Sequence, residues 1–283
     1  MKRFFLSLLV LSLAACAQRK DTQPVEPYRI AGNLYYVGTS DITAYLVSTP
    51  QGHIVINVGY EDTAAQVRDS IQKLGFKITD VRILLNGQAH FDHVAGMAAL
   101  QKMTGGAKIF ASTADAGVME SGGKTDFRWG SEYTYPVVKV DRKLSDGDKV
   151  ELGGTTLVAH VTGGHSIGCT TWTMQVDDGG KKLDVVIVGG TTVNPGVQLL
   201  NNPKYPGVSD DMAKTFRVLR SLHCDIFLGA HGGYYNMAAK YDRFKRGEQP
   251  NPFIDPAGYQ DHINRMEKAY LDLVAKEKAA SGR

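Results

Sequence analysis

Three segments far apart in the chain place histidine beside glycine, each just after a run that reads as a β-strand. They are "QAHFDHVAG" (88–96), "TGGHSIGCT" (162–170) and "LGAHGGYY" (228–235), which hold His90, His93, His165 and His231. A loop that follows a strand is a side-chain mount set by a rigid sheet. Neighbouring glycine lets the backbone turn sharply there. A chain that uses this arrangement three times is constrained to bring several strand ends to one edge and to aim imidazoles into a shared cleft.

The first segment is the densest. It nearly reads H-x-H-x-D-H, with Gln88 at the first histidine position. Gln88, His90, Asp92 and His93 supply four candidate donors in six residues. Zinc favours neutral imidazole and carboxylate donors, with an open position where the site is catalytic. In an extended segment alternate residues share a face. Gln88, His90 and Asp92 can therefore point one way while His93 diverges, a geometry that can feed two adjacent metals. Asp92 has a second reading as the N-cap of the following helix. The other histidines, His53, His160, His223 and His262, lack this setting and read as core or solvated residues.

Around these segments strands and helices alternate. "LYYVG", "AYLVST", "HIVINV", Val81–Leu85, "KIFAS", "TTLVAHVT", "TTWTMQV", "LDVVIVGG" and "DIFLGA" read as strands. Helices are predicted over 62–74, 94–103, 114–120, 209–222 and 255–278. Residues 122–135, "GGKTDFRWGSEYTY", form a long aromatic loop. Its Trp129 and Tyr133 either cover an apolar substrate face or pack the loop onto the body. Strands fall in two blocks flanked by helices, which predicts an α/β fold: a four-layer αβ/βα sandwich. Hydrophobic residues at 43% and charged residues at 22% are ordinary for a globular chain, so the core needs no staples.

The N-terminus has its own signature. Lys2 and Arg3 precede an apolar run, Phe4–Leu13, too short to span a bilayer comfortably. "LAAC" then ends at Cys16. The expectation is a lipoprotein signal peptide over residues 1–15, lipidation of Cys16, a polar tether over 16–27 and one domain over 28–283. An ordinary signal peptide cut near Ala15 or Ala17 is the other reading, and both export the protein. With Ala17 after the cysteine, the expected location is the periplasm, anchored to the outer membrane. Two of the three net positive charges lie in the leader, and no basic patch suits nucleic acid. Membrane contact is expected only through the lipid, and the protein is expected to be a monomer. Cys169 and Cys224 remain. A disulfide is permitted in an oxidising compartment, but two separate buried thiols are the favoured expectation, with Cys169 not a ligand.

Taken together, "QAHFDH", "GGHS" and "GAHGG" resemble the metallo-β-lactamase superfamily. The similarity is to class B β-lactamases of the third subclass, in the variant with glutamine as first ligand. "RIAGNLYYVGT", "INVG", "IQKLGF", "GGKTDF", "GHSIGCTTW" and "NNPKYP" fit the same order, so the resemblance spans nearly the whole chain after the leader. It implies one zinc on Gln88, His90 and His165 and a second on Asp92, His93 and His231, up to two per chain. It also implies opening of a β-lactam amide, in a small-molecule antibiotic, by a metal-bound hydroxide, with Asp92 also orienting the nucleophile. No serine nucleophile is needed, and "GHS" is not the G-x-S-x-G elbow.

Two departures qualify the resemblance. An amide oxygen is a neutral, weak ligand beside imidazole, so the Asp92/His93/His231 group is expected to be the tighter one. In "VGGTTVNPG" (188–196), Gly190 stands where many relatives carry a bridging aspartate. That tells against lactonase-type and glyoxalase-type chemistry. Thr191 falls where the subclass commonly has a serine contacting the substrate carboxylate. Thr191 and Asn194 are therefore the expected substrate contacts, with Tyr234 a further rim candidate. The alternatives are another hydrolase of the same fold, acting on a lactone, thioester or phosphoester, and a non-catalytic zinc-binding lipoprotein.

Overall fold

Side-chain alternation in the strands decides the layering. The computed structural model describes residues 19–130 and 132–282; the expected signal peptide and Cys16 lie outside the described residues. The first sheet takes β1 (Tyr28–Ala31), β2 (Leu34–Tyr36), β3 (Tyr45–Thr49), β4 (Gly52–Ile56), β5 (Val81–Leu85), β6 (Lys108–Ser112) and β7 (Arg142–Leu144) in that order. It is antiparallel as far as β4 and parallel from β4 to β7. The second sheet takes β8 (Lys149–Leu152), β9 (Thr155–Val161), β10 (Thr170–Asp178), β11 (Lys181–Val188) and β12 (Ile226–Gly229). Its spatial order is β12-β11-β10-β9-β8, with only β11 and β12 parallel.

Tyr45, Val47, Ile54 and Ile56 point between the sheets, where they join Leu157, Trp172, Met174 and Val185. Leu46, Val55 and Leu84 point the other way, onto α1 (Ala64–Lys73) and α3 (Met97–Thr104), through Val67, Ile71, Met97 and Leu100. This period of two follows from the pleat. On the far side, Val185, Val186, Ile187 and Val188 are buried without alternation. The outer face of β11 is also covered, by α5 (Val208–Ser221) and α7 (Pro256–Ala280), through Phe216, Leu219, Tyr259 and Ile263. Each such aliphatic side chain contributes about 1.5–3 kcal/mol on burial. The four-layer sandwich expected from the sequence is the observed architecture.

Local differences have local causes. The helix expected over 94–103 is two helices, α2 (Phe91–Val94) and α3, broken at Gly96. A Cβ there would stand 2.6 Å from the Tyr60 carbonyl oxygen. The N-cap of α2 is His90, not Asp92, which lies inside the first turn and keeps its carboxylate free. Residues 19–26, expected within the tether, lie along the body: the Asp21 carbonyl accepts from the amides of Asp41 and Ile42, and Pro24 bridges to Thr39. Cys169 and Cys224 are buried free thiols, as favoured. Strands β7 and β8, α4 (Thr113–Glu120) with its cap, and α6 (Met237–Lys245) complete the chain.

Buried polar ties fix the strand ends where the histidine loops begin. Trp172, fully buried, donates from Nε1 to the Asn86 carbonyl at 2.8 Å. Asn57 adopts a left-handed conformation (φ 60°) after β4 and accepts from Gly87 N at 2.7 Å. Asp115, on α4, gathers the most. Its Oδ1 accepts from Gly168 N (2.8 Å) and Ser166 Oγ (3.1 Å), and its Oδ2 accepts from Asn86 Nδ2 (3.1 Å). One carboxylate thus joins the loop before Gln88 to the loop after His165.

Asp115→Ala is expected to lower the unfolding free energy of the metal-free protein by about 2–4 kcal/mol in urea, since buried groups left without a partner cost about 1–3 kcal/mol each. Asp115→Asn should cost less, because the Asn86 amide can flip to pair with it. Burial pushes the Asp115 carboxyl up from 3.8 to about 6. A carboxyl raised on folding contributes most below its ordinary value, and that contribution is lost as pH climbs through the folded value. Wild type should therefore lose ground to Asp115→Asn between about pH 4 and about pH 6. Urea curves with a constant gap across that window sink the assignment.

Candidate metal centre

Loops from both sheets meet along one edge of the sandwich. After β5 the chain delivers Gln88, His90, Asp92 and His93; after β9 it delivers His165; after β12 it delivers His231. His93 Nε2 and His231 Nε2 are 3.2 Å apart. Asp92 Oδ2 lies 3.3 Å from the first and 3.6 Å from the second. Zinc–ligand bonds of ~2.0–2.1 Å in a tetrahedron put neighbouring donors about 3.3–3.4 Å apart. The three atoms therefore form one face of a coordination tetrahedron. This fits a divalent cation without rearrangement.

Electrostatics keep Asp92 and His93 in ligating form and favour the protonated ring at His231. Burial works to raise the Asp92 pKa, but His93 and His231 outweigh it and hold the carboxyl well below its usual range. Burial lowers the pKa of His93. For His231 burial pulls downward, but the Asp41 and Asp92 carboxylates hold it above the ordinary imidazole value. Asp41 Oδ2 is 3.0 Å from His231 Nδ1, and Asp41 Oδ1 accepts from Gly233 N at 2.8 Å. A carboxylate can only accept, so it keeps the hydrogen on Nδ1 and leaves the Nε2 lone pair facing Asp92 and His93.

The second group is more loosely equipped. The His90 and His165 rings are 4.8 Å apart, crossed at 64°. His165 Nδ1 meets the Thr192 carbonyl at 2.8 Å, which again leaves Nε2 for the cavity. Burial, with His90, His231 and His93 nearby, presses the His165 pKa down to about 3, so the ring is neutral. Gln88 is fully buried, and its Nε2 donates to the Gly189 carbonyl at 3.0 Å. Its Oε1 has no hydrogen-bond partner among the described residues. A buried carbonyl oxygen without a donor is costly unless a cation or water meets it. The residue types and the orphaned oxygen fit a second cation next to the first.

Gly190 has a steric reason. A Cβ there would lie 2.5 Å from His165 Cδ2 and 2.6 Å from Cγ. The His165 ring occupies the space that a bridging aspartate needs, so the missing carboxylate is built into the packing. Thr191 turns its side chain into the body. It is 1% exposed, and its hydroxyl pairs with His262 Nε2 at 2.9 Å. Asn194 is half-buried beside His165, with Nδ2 3.4 Å from the His165 carbonyl. Tyr234 packs its ring between those of His231 and His262. The loop aromatics pack the loop onto the body. Tyr133 stacks on Phe91 at 4.2 Å and still exposes 45% of its surface, and Trp129 closes the cluster edge-on.

Asp41, Asp115 and Asp126 are the residues that sequence reasoning missed. Each is a lone aspartate in a loop or helix with no ligand-like spacing. For Asp41 the only signal is the turn-like "TSD" before β3. A further set of possible donors, Asp184, His223 and Asp225, lies elsewhere. There Asp184 Oδ2 already pairs with His223 Nδ1 at 2.8 Å on an exposed surface, so no donor is orphaned.

Residues 37–231 match the family model of the metallo-β-lactamase superfamily. The fold is similar to that of the native FEZ-1 metallo-β-lactamase from Legionella gormanii: 44% identity over 91% of this chain and 98% of that one, with a TM-score of 0.89. It is also similar to BJP-1, a subclass B3 metallo-β-lactamase of Bradyrhizobium japonicum, at 38% identity over 93% and 98% of the two chains (TM-score 0.85). A third similar structure is the class B3 di-zinc metallo-β-lactamase LRA-12 from an Alaskan soil metagenome, at 36% identity over 90% and 96% (TM-score 0.85). Donor geometry, layer order and likeness over nearly the full length agree, and the chain belongs to the metallo-β-lactamase superfamily.

Proposed function

We propose that this protein hydrolyses the amide bond of β-lactam antibiotics with zinc and so gives resistance to them. The observation that carries the proposal is the tetrahedral face of Asp92, His93 and His231 beside the orphaned Gln88 oxygen. Asp92, His93 and His231 would hold one zinc; Gln88, His90 and His165 would hold another, less tightly because the amide is the weaker donor. When bound, zinc acts as a Lewis acid that brings the pKa of water towards ~7 and polarises an amide.

The remaining work falls to the chain's own residues. Asp92, kept ionised, accepts a hydrogen bond from the attacking water and turns its lone pair to the lactam carbonyl. The Asn194 amide, beside His165, would meet the substrate carboxylate. Thr191, withdrawn onto His262, supports the wall behind it. Phe91, Trp129 and Tyr133 form an apolar side that shields the reacting bond from bulk water. Every donor comes from one chain, so a monomer suffices. The leader and Cys16 support export as a lipoprotein of the periplasm, anchored to the outer membrane.

Purified mature protein should hydrolyse a chromogenic cephalosporin with added zinc and lose that activity on chelation. Faster turnover of an acyl-lactone under the same conditions would favour the lactone-hydrolase reading instead, and zinc binding without either activity would favour a non-catalytic protein. Gln88→His should raise zinc bound at limiting metal towards two per chain, measured by mass spectrometry under native conditions; an unchanged stoichiometry refutes Gln88 as a ligand. Cys16→Ser should abolish incorporation of labelled palmitate in a bacterial host. Label retained in that variant rules out lipidation at Cys16.

A further inference from the structure

Most of the expected tether is fastened to the body, and it is fastened beside the metal centre. Residues 17 and 18 alone separate Cys16 from Arg19, where the described residues start. The Arg19 guanidinium lies 3.8 Å over the Tyr60 ring and pairs with Asp62 at 2.7 Å. Ser40 Oγ donates to the Lys20 carbonyl at 2.8 Å, and Ser40 N donates to that of Gln23 at 2.9 Å. The Asp21 carboxylate accepts from the Tyr60 hydroxyl at 3.0 Å. Asp41, whose amide donates to the Asp21 carbonyl, carries His231. Tyr60 packs on Phe91 with ring centres 5.9 Å apart, and Phe91 stands between His90 and Asp92 in the chain. Tyr133 stacks on the same Phe91. Asp126 holds the start of the aromatic loop to this edge: Oδ1 accepts from Arg128 N and Trp129 N, and Oδ2 is 3.4 Å from His90 Nε2. The leader therefore joins the body at the rim of the metal cavity.

The reach of the chain then limits how an anchored molecule can stand. An extended chain spans at most ~3.3–3.6 Å per residue, so Arg19 lies within about 11 Å of Cys16. Strand β11 runs eight residues, from the turn at Gly179 and Gly180 at the far end of the sandwich to Val188 at the cavity. At ~3.3 Å per residue that is about 26 Å. A lipidated Cys16 sits at the level of the headgroups. Resting the far end on the bilayer would lift Arg19 about 26 Å from it, beyond what the link can span. We propose that the anchor at Cys16 seats the protein with the rim of its metal cavity at the membrane surface, where the aromatic loop meets lipid headgroups. An amphipathic tyrosine ring suits that level, and Tyr133 leaves 45% of its surface exposed. Net charge is not the cause: Asp62 pairs with Arg19, and Glu61 and Glu132 flank Tyr60 and Tyr133. The cavity takes its substrate from the layer of solution next to the bilayer. The inference rests on the lipidation of Cys16 proposed above, and not on which bond the enzyme cleaves.

The test uses full-length protein purified from bacterial membranes and returned to vesicles of phosphatidylethanolamine and phosphatidylglycerol. Cys169 and Cys224 are buried, and Cys16 carries the lipid, so a new surface cysteine takes a thiol-reactive fluorophore selectively. Glu132→Cys places the label in the aromatic loop, and Lys181→Cys places it at the far end. With a phosphatidylcholine bearing a headgroup nitroxide added to the vesicles, the label at 132 should lose most of its fluorescence and the label at 181 little. A Gly-Ser insert of about ten residues after Cys16 stretches to about 40 Å, enough for either end to face the bilayer, and should remove the contrast. Equal losses at the two positions, or a larger loss at 181, overturn the proposal. A contrast that survives the insert overturns it too, because the short link then does not set the orientation. Flotation separates the two layers of the argument. Protein that fails to float with vesicles sinks the anchor and the orientation together, whereas protein that floats without the contrast sinks the orientation alone.

Discussion

Backbone segments in this cavity approach one another more closely than any side chain permits, and the rest of the site is built on that approach. A Cβ on Gly189 would stand 2.5 Å from the Gly87 carbonyl oxygen and 2.4 Å from that of Thr170. One on Gly168 would stand 2.2 Å from Ser112 Oγ. These glycines bring the loop after β5 against the end of β11 and the loop before β10. Thr170 N can then donate to the Gly87 carbonyl at 2.7 Å, and Gln88 Nε2 can reach the Gly189 carbonyl. The same closeness turns the Gln88 oxygen inward, where no donor among the described residues meets it.

On that frame, two acceptors orient imidazoles by tautomer. Asp41 comes from the loop between β2 and β3, and the Thr192 carbonyl from the segment after β11. Each supports a different histidine, and neither belongs to the donor triangle. Asp115 works one layer further out, holding the loops that carry Gln88 and His165 at a fixed separation. Buried carboxylates are costly without partners. Here that cost is offset by backbone amides and by imidazoles that gain a defined orientation.

Much of this was legible in the sequence, and the limits have physical causes. The strand ends announced themselves because period-two apolar runs stop at glycine, and the histidines stand at those stops. Val81–Leu85 was read to the residue because both flanks are polar or turn-forming. β7 and β8 were not seen. Each is three or four residues long, with charged side chains such as Arg142, Lys143 and Glu151 facing outward, so neither has a periodic signature. The supporting aspartates were invisible for another reason. Asp41, Asp115 and Asp126 act through contacts with residues tens of positions away, and spacing along the chain carries no trace of that. For Thr191, position along a loop does not fix which way the hydroxyl turns. Its partner, His262, lies on the terminal helix.

Gln88 is best understood against this background. As an isolated change, an amide for an imidazole weakens a metal group. In this cavity the amide nitrogen has a fixed acceptor, the Gly189 carbonyl, so the oxygen is the only atom it can present inward. An amide held at one end loses little freedom on binding, which recovers part of what a neutral donor lacks. The substitution and the glycine that accommodates it therefore belong together: Gly189 brings its carbonyl within 3.0 Å of the amide because nothing larger than hydrogen fits at its Cα. Gln88 is oriented by the same close backbone packing that seats the histidines, which suits the ligand role proposed for it.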